Sequence, residues 1–370
     1  MTDLGKILAL LQTPGTKKAA LATLVKTRGS SYRKAGARLL ILEDGSTVGS
    51  ISGGCVEQDI AKKAQELMNQ GEPQLAVFDM TNPDDELWGY GQGCNGVLSV
   101  LLEPTGASDP QFHLINEVFH RRDPGVIATI IQVQGELKVR VGSRLLLFPN
   151  GTVQETVLNP FVTSPITEEA GRSRAGTSHQ KVFQFTEGWV EVFFEVVHPP
   201  VSLTIAGAGT DAIPLHRLAG ELGWKVTVID HRPDFASQDR FPGADSLIIQ
   251  LPESLNGSIV PDPRSAVVIM THNFRHDLSL LPAFLKQPFP YVGLLGPKHR
   301  FDLLMKRLEQ DGIKFDSEML SRLHTPVGLN IGAESPEEIA LAIIAEIQTV
   351  MNKYLSWKRN DTERHGEVTE

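Results

Sequence analysis

A pattern in the first fifty residues returns later in the chain at one fixed offset. Ala22-Thr23 recurs as Ala128-Thr129, Gly29 as Gly135, Gly36 as Gly142, Arg38-Leu39-Leu40 as Arg144-Leu145-Leu146 and Gly45 as Gly151. The offset is the same each time, 144 − 38 = 106. Many matches at one spacing are the mark of a duplicated unit; the alternative is two unrelated hairpins with coincidental glycines. In the first copy the pattern predicts strands over Ala19 to Lys26 and Arg38 to Leu42, a turn at Asp44-Gly45, and a short strand at Thr47-Val48. A helix follows over Val56 to Asn69, with Ile60, Ala64, Leu67 and Met68 at helical spacing, and then a strand over Gln74 to Phe78. Thr81 to Glu86 reads as a loop, and the closing strand Val97 to Leu102 ends at Pro104. That strand has a likeness in Val192 to Val197, followed by Pro199. Two copies, about 19–104 and 125–199, are thus expected in one N-terminal domain over 1–198, preceded by an amphipathic helix carrying Leu4, Ile7, Leu8 and Leu11.

The copies differ where chemistry would sit. Arg33 aligns with Val139, and Gly53, Gly54 and Cys55 align with Asn159, Pro160 and Phe161; Cys94 has no thiol counterpart. In the first copy, two glycine-rich loops flank one strand between Gly29 and Glu57. The second loop sets Cys55 and Glu57 at the start of a helix. Such a corner can gather free backbone N–H groups, a thiol and the guanidinium of Arg33 or Arg38. These suit an anionic ligand with a sulfur-reactive centre. Cys94 lies in a second glycine-rich run, Gly91-Gln92-Gly93-Cys94-Asn95-Gly96. Both cysteines also have a bland reading as small buried hydrophobes. Glu57 is either a proton acceptor beside Cys55 or a first-turn carboxylate on the helix dipole. Two thiols without a close His/Cys set fall short of a zinc site.

The prolines of His198-Pro199-Pro200 break the chain, and from Val201 strands alternate with helices, predicting a parallel-sheet domain over 201–355. Gly207-Ala208-Gly209-Thr210-Asp211-Ala212 fits the Gly-x-Gly-x-x-Ala dinucleotide loop, and Asp230 ends the next strand where a ribose-binding acid belongs. Asp211 would compete with a pyrophosphate for the helix N–H groups. Arg232 would answer a phosphate or pair with Asp234. NAD(P), another nucleotide, or a fold kept for packing alone all stand. His272 and His276, after the fourth strand, could hold a metal, shuttle protons or make ordinary hydrogen bonds. Gly293-Leu294-Leu295-Gly296, with Lys298, His299 and Arg300 after it, is a phosphate loop or a helix start with solvated charges. Ser335, Pro336 and Glu338 form a capping box for a final helix reaching Met351. Residues 356–370 are polar and expected to fray.

A net charge of −9 argues against nucleic acid. Two cysteines in 370 residues point to a reducing cytoplasm rather than a disulfide scaffold. No stretch is long and apolar enough to span a bilayer.

Together these motifs resemble the XdhC/CoxI family, accessory proteins of molybdenum hydroxylases. The likeness rests on Gly29 to Arg38, Gly53-Gly54-Cys55-Val56-Glu57 and Gly93-Cys94-Asn95-Gly96 in the N-terminal part. In the C-terminal part it rests on Gly207-Ala208-Gly209, Asp230-His231-Arg232, Met270-Thr271-His272, Gly293 to Gly296, and Pro326 to Ala333 leading into Ser335 to Ala340. Many relatives carry proline at Tyr32 and glycine at Asn95. The resemblance implies an α/β protein: an N-terminal duplicated α/β XdhC/CoxI domain plus a C-terminal Rossmann-like parallel-sheet domain. It implies binding and protection of molybdenum cofactor (molybdopterin) and support of its sulfuration with a cysteine desulfurase. Delivery to a xanthine dehydrogenase-like molybdenum hydroxylase would follow. Cys55 and Cys94 would lie near the molybdenum or its sulfur, with Gly53, Gly54 and Glu57 beside them. Arg33 and Arg38 would take phosphate or pterin oxygens, unless Arg38 is structural, as its repeat partner Arg144 hints. Gly207, Gly209, Asp230, Arg232 and His272 would line the second crevice. The competing readings are an NAD(P)-dependent oxidoreductase with His272 as acid or base, and an adaptor that only docks partners. A homodimer is left open.

Overall fold

The computed structural model describes residues 3–11, 18–54, 56–81, 96–106, 110–157, 159–173, 178–255 and 259–364. It divides between Pro199 and Pro200 into two compact units.

The N-terminal unit is the same αβββαββ motif twice. The first copy runs α1 (Asp3–Leu11), β1 (Ala19–Gly29), β2 (Arg38–Leu42), β3 (Thr47–Gly49), α2 (Glu57–Gln70), β4 (Gln74–Asp79) and β5 (Gly96–Thr105). The second runs α3 (Pro110–Arg121), β6 (Gly125–Gly135), β7 (Arg144–Leu147), β8 (Val153–Glu155), α4 (Pro160–Ser173), β9 (His179–Phe185) and β10 (Gly188–Val197). Each copy is one antiparallel sheet, ordered β3-β2-β1-β5-β4 and β8-β7-β6-β10-β9. Neither α3 nor β9 was expected from the sequence; α3 is the counterpart of α1, with Leu114 standing 106 residues beyond Leu8.

The duplication extends into the core. Ala20, Leu24, Leu39, Ile60 and Ala64 form the cluster under α2, and Val126, Ile130, Leu145, Ile166 and Ala170 repeat it under α4. Strand alternation sends the intervening residues to the other face. A β-bulge then skips Val25 in β1, and its equivalent skips Ile131 in β6. Val25, Leu101, Ile131 and Phe193 close together as one cluster drawn from both copies. The bulge therefore re-aims one residue of each long strand at the other copy.

Register corrects the expected match of the closing strands. Ala19 faces Thr105 across β1 and β5, and Gly125 faces Val197 across β6 and β10. The offset of these last strands is thus 197 − 105 = 92, whereas matching Val97 to Val192 requires 95. An odd slip would turn every side chain to the opposite face. Apolar runs resemble one another under such slips, and the prolines that follow both strands reinforce the false match.

In the C-terminal unit β11 (Ser202–Ala206), β12 (Lys225–Asp230), β13 (Ser246–Ile249), β14 (Ser265–Ile269), β15 (Tyr291–Leu294) and β16 (Leu323–His324) form one parallel sheet. Their order is β13-β12-β11-β14-β15-β16, the doubly wound order of dinucleotide-binding folds. One face is covered by α5 (Ala212–Glu221) and α9 (Pro336–Arg364), the other by α6 (Phe274–Leu285) and α7 (Lys298–Gln310). Burial on both sides explains the unbroken apolar strands. A short α8 (Ser317–Ser321) precedes β16. Helix α9 starts at the expected capping box, with Ser335 N–H on Glu338 and Glu338 N–H on Ser335 Oγ. It continues to Arg364 rather than fraying from 356, because nothing in that polar stretch breaks a helix.

Candidate functional site

Arg38 is structural. Its guanidinium makes a buried two-pronged bond to Glu195 of the second copy, with Nη1 to Oε1 at 2.9 Å, and Arg144 makes the same bond to Glu103 of the first, also at 2.9 Å. Each Nη1 also donates to the carbonyl of the glycine two residues earlier, Gly36 or Gly142. A Cβ on either glycine would stand 2.9 Å from the carboxylate. The repeated Gly and Arg are therefore two halves of one reciprocal clasp. The assignment of Arg38 to a ligand gives way to the structural reading that Arg144 hinted at.

At the far end of β1 and β5 the copies part. In the second copy α4 begins at Pro160, with Asn159 capping it through Phe161 N–H at 3.1 Å. In the first copy α2 begins only at Glu57, although Val56 and Val162, 106 apart, fill matching core places. The chain freed by that lost turn wraps the Glu57 carboxylate. Glu57 Oε1 accepts the N–H groups of Ile51 (3.2 Å), Ser52 (2.8 Å) and Gly53 (3.0 Å). Oε2 accepts Gly54 N–H at 2.8 Å, and the hydroxyls of Ser50 and Ser52 complete the set. Val56 N–H is held by Ser52 Oγ at 3.1 Å. Burial works against the carboxylate, but the donors from Ser52 and Gly54 outweigh it and hold its pKa at about 2.

This corrects two expectations. The N–H groups of Gly53 and Gly54 are not free for an external anion, because Glu57 occupies them. A carboxyl that ionises near 2 is no proton acceptor at neutral pH, so Glu57 shapes the loop. Thr163 stands in its place in the second copy. Ser50 and Ser52 were missed by sequence reasoning; serines shortly before a helix-opening glutamate were the available signal.

A second divergence lies at the same end. β9 and β10 are joined by Thr186 and Glu187 alone, whereas β4 and β5 are joined by residues 80–95, 95 − 79 = 16 of them. Met80 N–H donates to Gly96 O, closing the base of that long connection. A Cβ on Gly96 would lie 2.4 Å from Ser30 O, and one on Gly53 would lie 3.0 Å from the Tyr32 ring. The 30–37 loop thus touches both the Glu57 loop and the root of the long connection. Tyr32 is 73% exposed there and Arg33 is half-buried. Cys55 and Cys94 lie outside the described residues.

In the C-terminal unit, Gly207 has φ +116 and sits where a Cβ would meet Met270 O at 2.5 Å. Only glycine permits that approach. Asp230 accepts Ala208 N–H at 2.8 Å, and Arg232 binds it through its backbone N–H, Nε and Nη2 at 2.9–3.0 Å. Arg232 therefore pairs with Asp230, not with Asp234. Burial raises the Asp230 pKa, the Arg232 and Ala208 bonds lower it more, and it comes to rest at about 2. Asp211 does not cap α5; its Oδ2 meets His272 Nε2 at 2.7 Å, with His272 in a left-handed conformation (φ +55). The carboxylate thus makes no bond to the helix N–H groups, which are engaged otherwise: Ala212 and Ile213 donate to Gly209 O and Thr210 O at 3.3 Å, and Pro214 has no N–H. Gly209 lies against Asp211, whose Oδ1 would be 2.6 Å from an added Cβ. Arg300 binds buried Asp277, which also accepts Thr271 Oγ1, so this basic loop serves to tie β14 to α7. His276 stacks edge-on against His231 at 4.8 Å. Among the described residues no group of three or more His, Cys, Asp or Glu could hold a metal, and no helix is long and apolar enough to cross a membrane.

Comparison with known proteins agrees with both units. Residues 15–79 match the XdhC and CoxI family and residues 203–347 the XdhC Rossmann domain. A Bacillus subtilis protein, named as one of the probable subunits of xanthine dehydrogenase, is 33% identical over 332 residues, covering 90% of this chain and 92% of its own. The Escherichia coli molybdenum cofactor insertion chaperone PaoD is 25% identical over 336 residues, covering 90% and 84%. The crystal structure of a Bacillus halodurans protein described as a xanthine dehydrogenase superposes with TM-score 0.75 at 30% identity, over 95% of this chain and 96% of that one. Identity of this degree along nearly the whole length of both chains shows that the chain belongs to the XdhC and CoxI family.

Proposed function

We propose that the protein binds molybdenum cofactor in the first copy of its repeat, protects it, supports its sulfuration and delivers it to a xanthine dehydrogenase-like molybdenum hydroxylase. The observation that carries this reading is the local divergence of two otherwise matching copies. Core, clasp and bulge repeat, while the first copy alone has the wrapped loop, the 16-residue connection, Arg33 and both cysteines. Sixteen residues between two strands that two residues suffice to join in the other copy mark function rather than folding need. The names of the relatives, one a cofactor insertion chaperone and the other part of a xanthine dehydrogenase, point to the same chemistry.

The residues suit the cofactor. Among the described residues a Cβ on Gly54 would meet nothing within 4 Å, so none of them covers the loop held by Glu57. When bound, the cofactor supplies a phosphate anion and a molybdenum centre with an affinity for sulfur. Arg33 would pair with phosphate or pterin oxygens, and Cys55 and Cys94 would contact the metal or its sulfur. Glu57 fixes the backbone on either side of Cys55 by holding Gly54 directly and Val56 through Ser52. A cysteine desulfurase would supply the sulfur. The protein acts as a carrier without turnover of its own.

Anaerobic incubation with cofactor released from a molybdenum enzyme tests this. After desalting, pterin fluorescence and metal analysis should show stoichiometric retention, lost in Cys55→Ala or Cys94→Ala. Undiminished retention in both variants sinks the reading. Nicotinamide-dependent turnover that Gly209→Val destroys and the cysteine variants spare would favour the oxidoreductase instead.

A further inference from the structure

The C-terminal crevice contains a second arrangement, apart from the loop to which the proposed function assigns the molybdenum cofactor. At the carboxyl ends of β11, β12, β13 and β14 lies a cavity of about 70 Å³, walled by His231, Arg232, Gln250, Thr271, Asn273 and His276. At 10–15 Å³ for one water, it has room for roughly five, about the size of a phosphate group. Its polar wall carries a guanidinium, two imidazoles and two side-chain amides together with the Asp230 carboxylate, and Ile229, Pro252, Leu255 and Leu280 close the apolar side.

Asp230, itself part of the cavity wall, stands at the position that binds a ribose diol in dinucleotide folds. Here it is already saturated. A carboxylate offers about four lone-pair sites, and Ala208 N–H with three donors from Arg232 fill them. A plain ribose finds no acceptor. A ribose bearing a phosphate meets Arg232 instead. That guanidinium lies 3.7 Å over the Phe235 ring, and its side chain is 42% exposed to an incoming group. A second guanidinium, Arg240, lies 4.9 Å over the same ring, donates to Ala208 O of the glycine loop, and keeps a buried Nε without a partner.

We propose that this crevice binds an adenine nucleotide that carries a phosphate on its ribose, of the kind NADP(H) presents. That phosphate enters the cavity between Arg232, His231 and His276. The cavity is too small for the base, so adenine lies at its mouth on the exposed face of Arg232. The site is chemically separate from the cofactor loop of the N-terminal unit, and its ligand is read by charge at the ribose rather than by the diol.

Calorimetric titration of the full-length protein with NADP⁺, NAD⁺, 2′,5′-ADP and 5′-AMP decides it. NADP⁺ should bind at least tenfold more tightly than NAD⁺, and 2′,5′-ADP more tightly than 5′-AMP by a similar factor. Arg232→Ala should abolish both preferences. His276→Ala, which leaves the Asp230 pair intact, should reduce them severalfold, and circular dichroism of each variant checks that it is folded. Equal affinity for NAD⁺ and NADP⁺, a preference that survives both substitutions, or no binding of any of the four at millimolar concentration overturns the proposal.

Discussion

Two copies of one motif occupy the N-terminal unit, and evolution has treated their two ends differently. At the clasp, Arg38–Glu195 and Arg144–Glu103 are interchangeable down to the glycine that each guanidinium touches. At the opposite end of the same strands, one copy has a capped helix and a tight hairpin. The other has a carboxylate wrapped in loop and a 16-residue connection. Where both copies must bury each other, sequence is constrained twice. Where only one copy meets a ligand, the second is free to settle into ordinary helix and turn chemistry.

The largest expected effects test the symmetric end. Both ion pairs are buried, with side-chain exposures of 5% and 11% in one and 2% and 4% in the other. Removing one partner strands the other charge, at a cost of about 3–5 kcal/mol. Glu195→Ala and Glu103→Ala should therefore lower unfolding stability in urea by similar amounts. Replacing a whole pair, Arg38→Met with Glu195→Leu, should recover most of the loss. A silent substitution on one side would mean that the clasp is symmetric in geometry only.

The next effect tests the asymmetric end. Arg33→Val copies the residue that the second copy carries at Val139. A lost charge-assisted hydrogen bond is worth about 1.5–3 kcal/mol, or roughly 10- to 100-fold in affinity. Retention of molybdopterin after desalting should fall accordingly, with circular dichroism checking that the variant is folded. Val139→Arg, the reverse change in the other copy, should not add a second equivalent of bound cofactor, because the wrapped loop is missing there. A gain of binding in that variant would show that Arg33 alone makes the site.

Both ends were readable in the sequence to different depths. The fixed spacing of Gly36, Arg38, Gly142 and Arg144 disclosed the duplication, because glycine and arginine are each demanded by one contact. The partners Glu103 and Glu195 were hidden, because they follow a different offset once the long connection is removed from one copy. Helix α3 escaped for want of a capping signal, although α1 had been recognised. The Gly-Gly-Cys corner was visible as a site, but its donors were taken as free. The signal that a glutamate three residues on turns back to claim them lay in the serines before it, and it was not used there. In the C-terminal unit, the parallel sheet and the glycine loop followed from pattern alone. The Asp211–His272 contact did not, since it joins residues 61 apart.

A smaller effect separates Glu57 from Thr163. The Glu57 carboxyl has its pKa at about 2, below the ordinary 4.5. Its folded-state value is depressed, so its stabilisation is complete above about 4.5 and is lost as pH falls through 2. The group is only partly buried, so solvent screening discounts the shift to roughly 1–2 kcal/mol. Wild-type stability should decline across that acid window, and Glu57→Gln should flatten the decline while lowering stability at pH 7. Thr163→Val should leave the acid limb untouched. An unchanged pH profile in the glutamine variant would remove Glu57 as the organiser of the loop.

The smallest effect falls on the cap that the first copy has lost. Asn159 accepts Phe161 N–H through Oδ1 and donates through Nδ2 to Leu137 O at 2.8 Å, so it fixes both the helix start and the neighbouring loop. Asn159→Ala should cost about 1 kcal/mol, typical of an N-cap, and should leave cofactor retention at its wild-type level. The reciprocal position, Gly53, has φ +83 and packs under the Tyr32 ring. Gly53→Ala there should cost a similar amount in stability but also reduce retention, since the strain falls on the loop that Glu57 holds. Equal retention in the two variants would place the ligand outside the diverged end and leave the asymmetry of the copies without a functional cause.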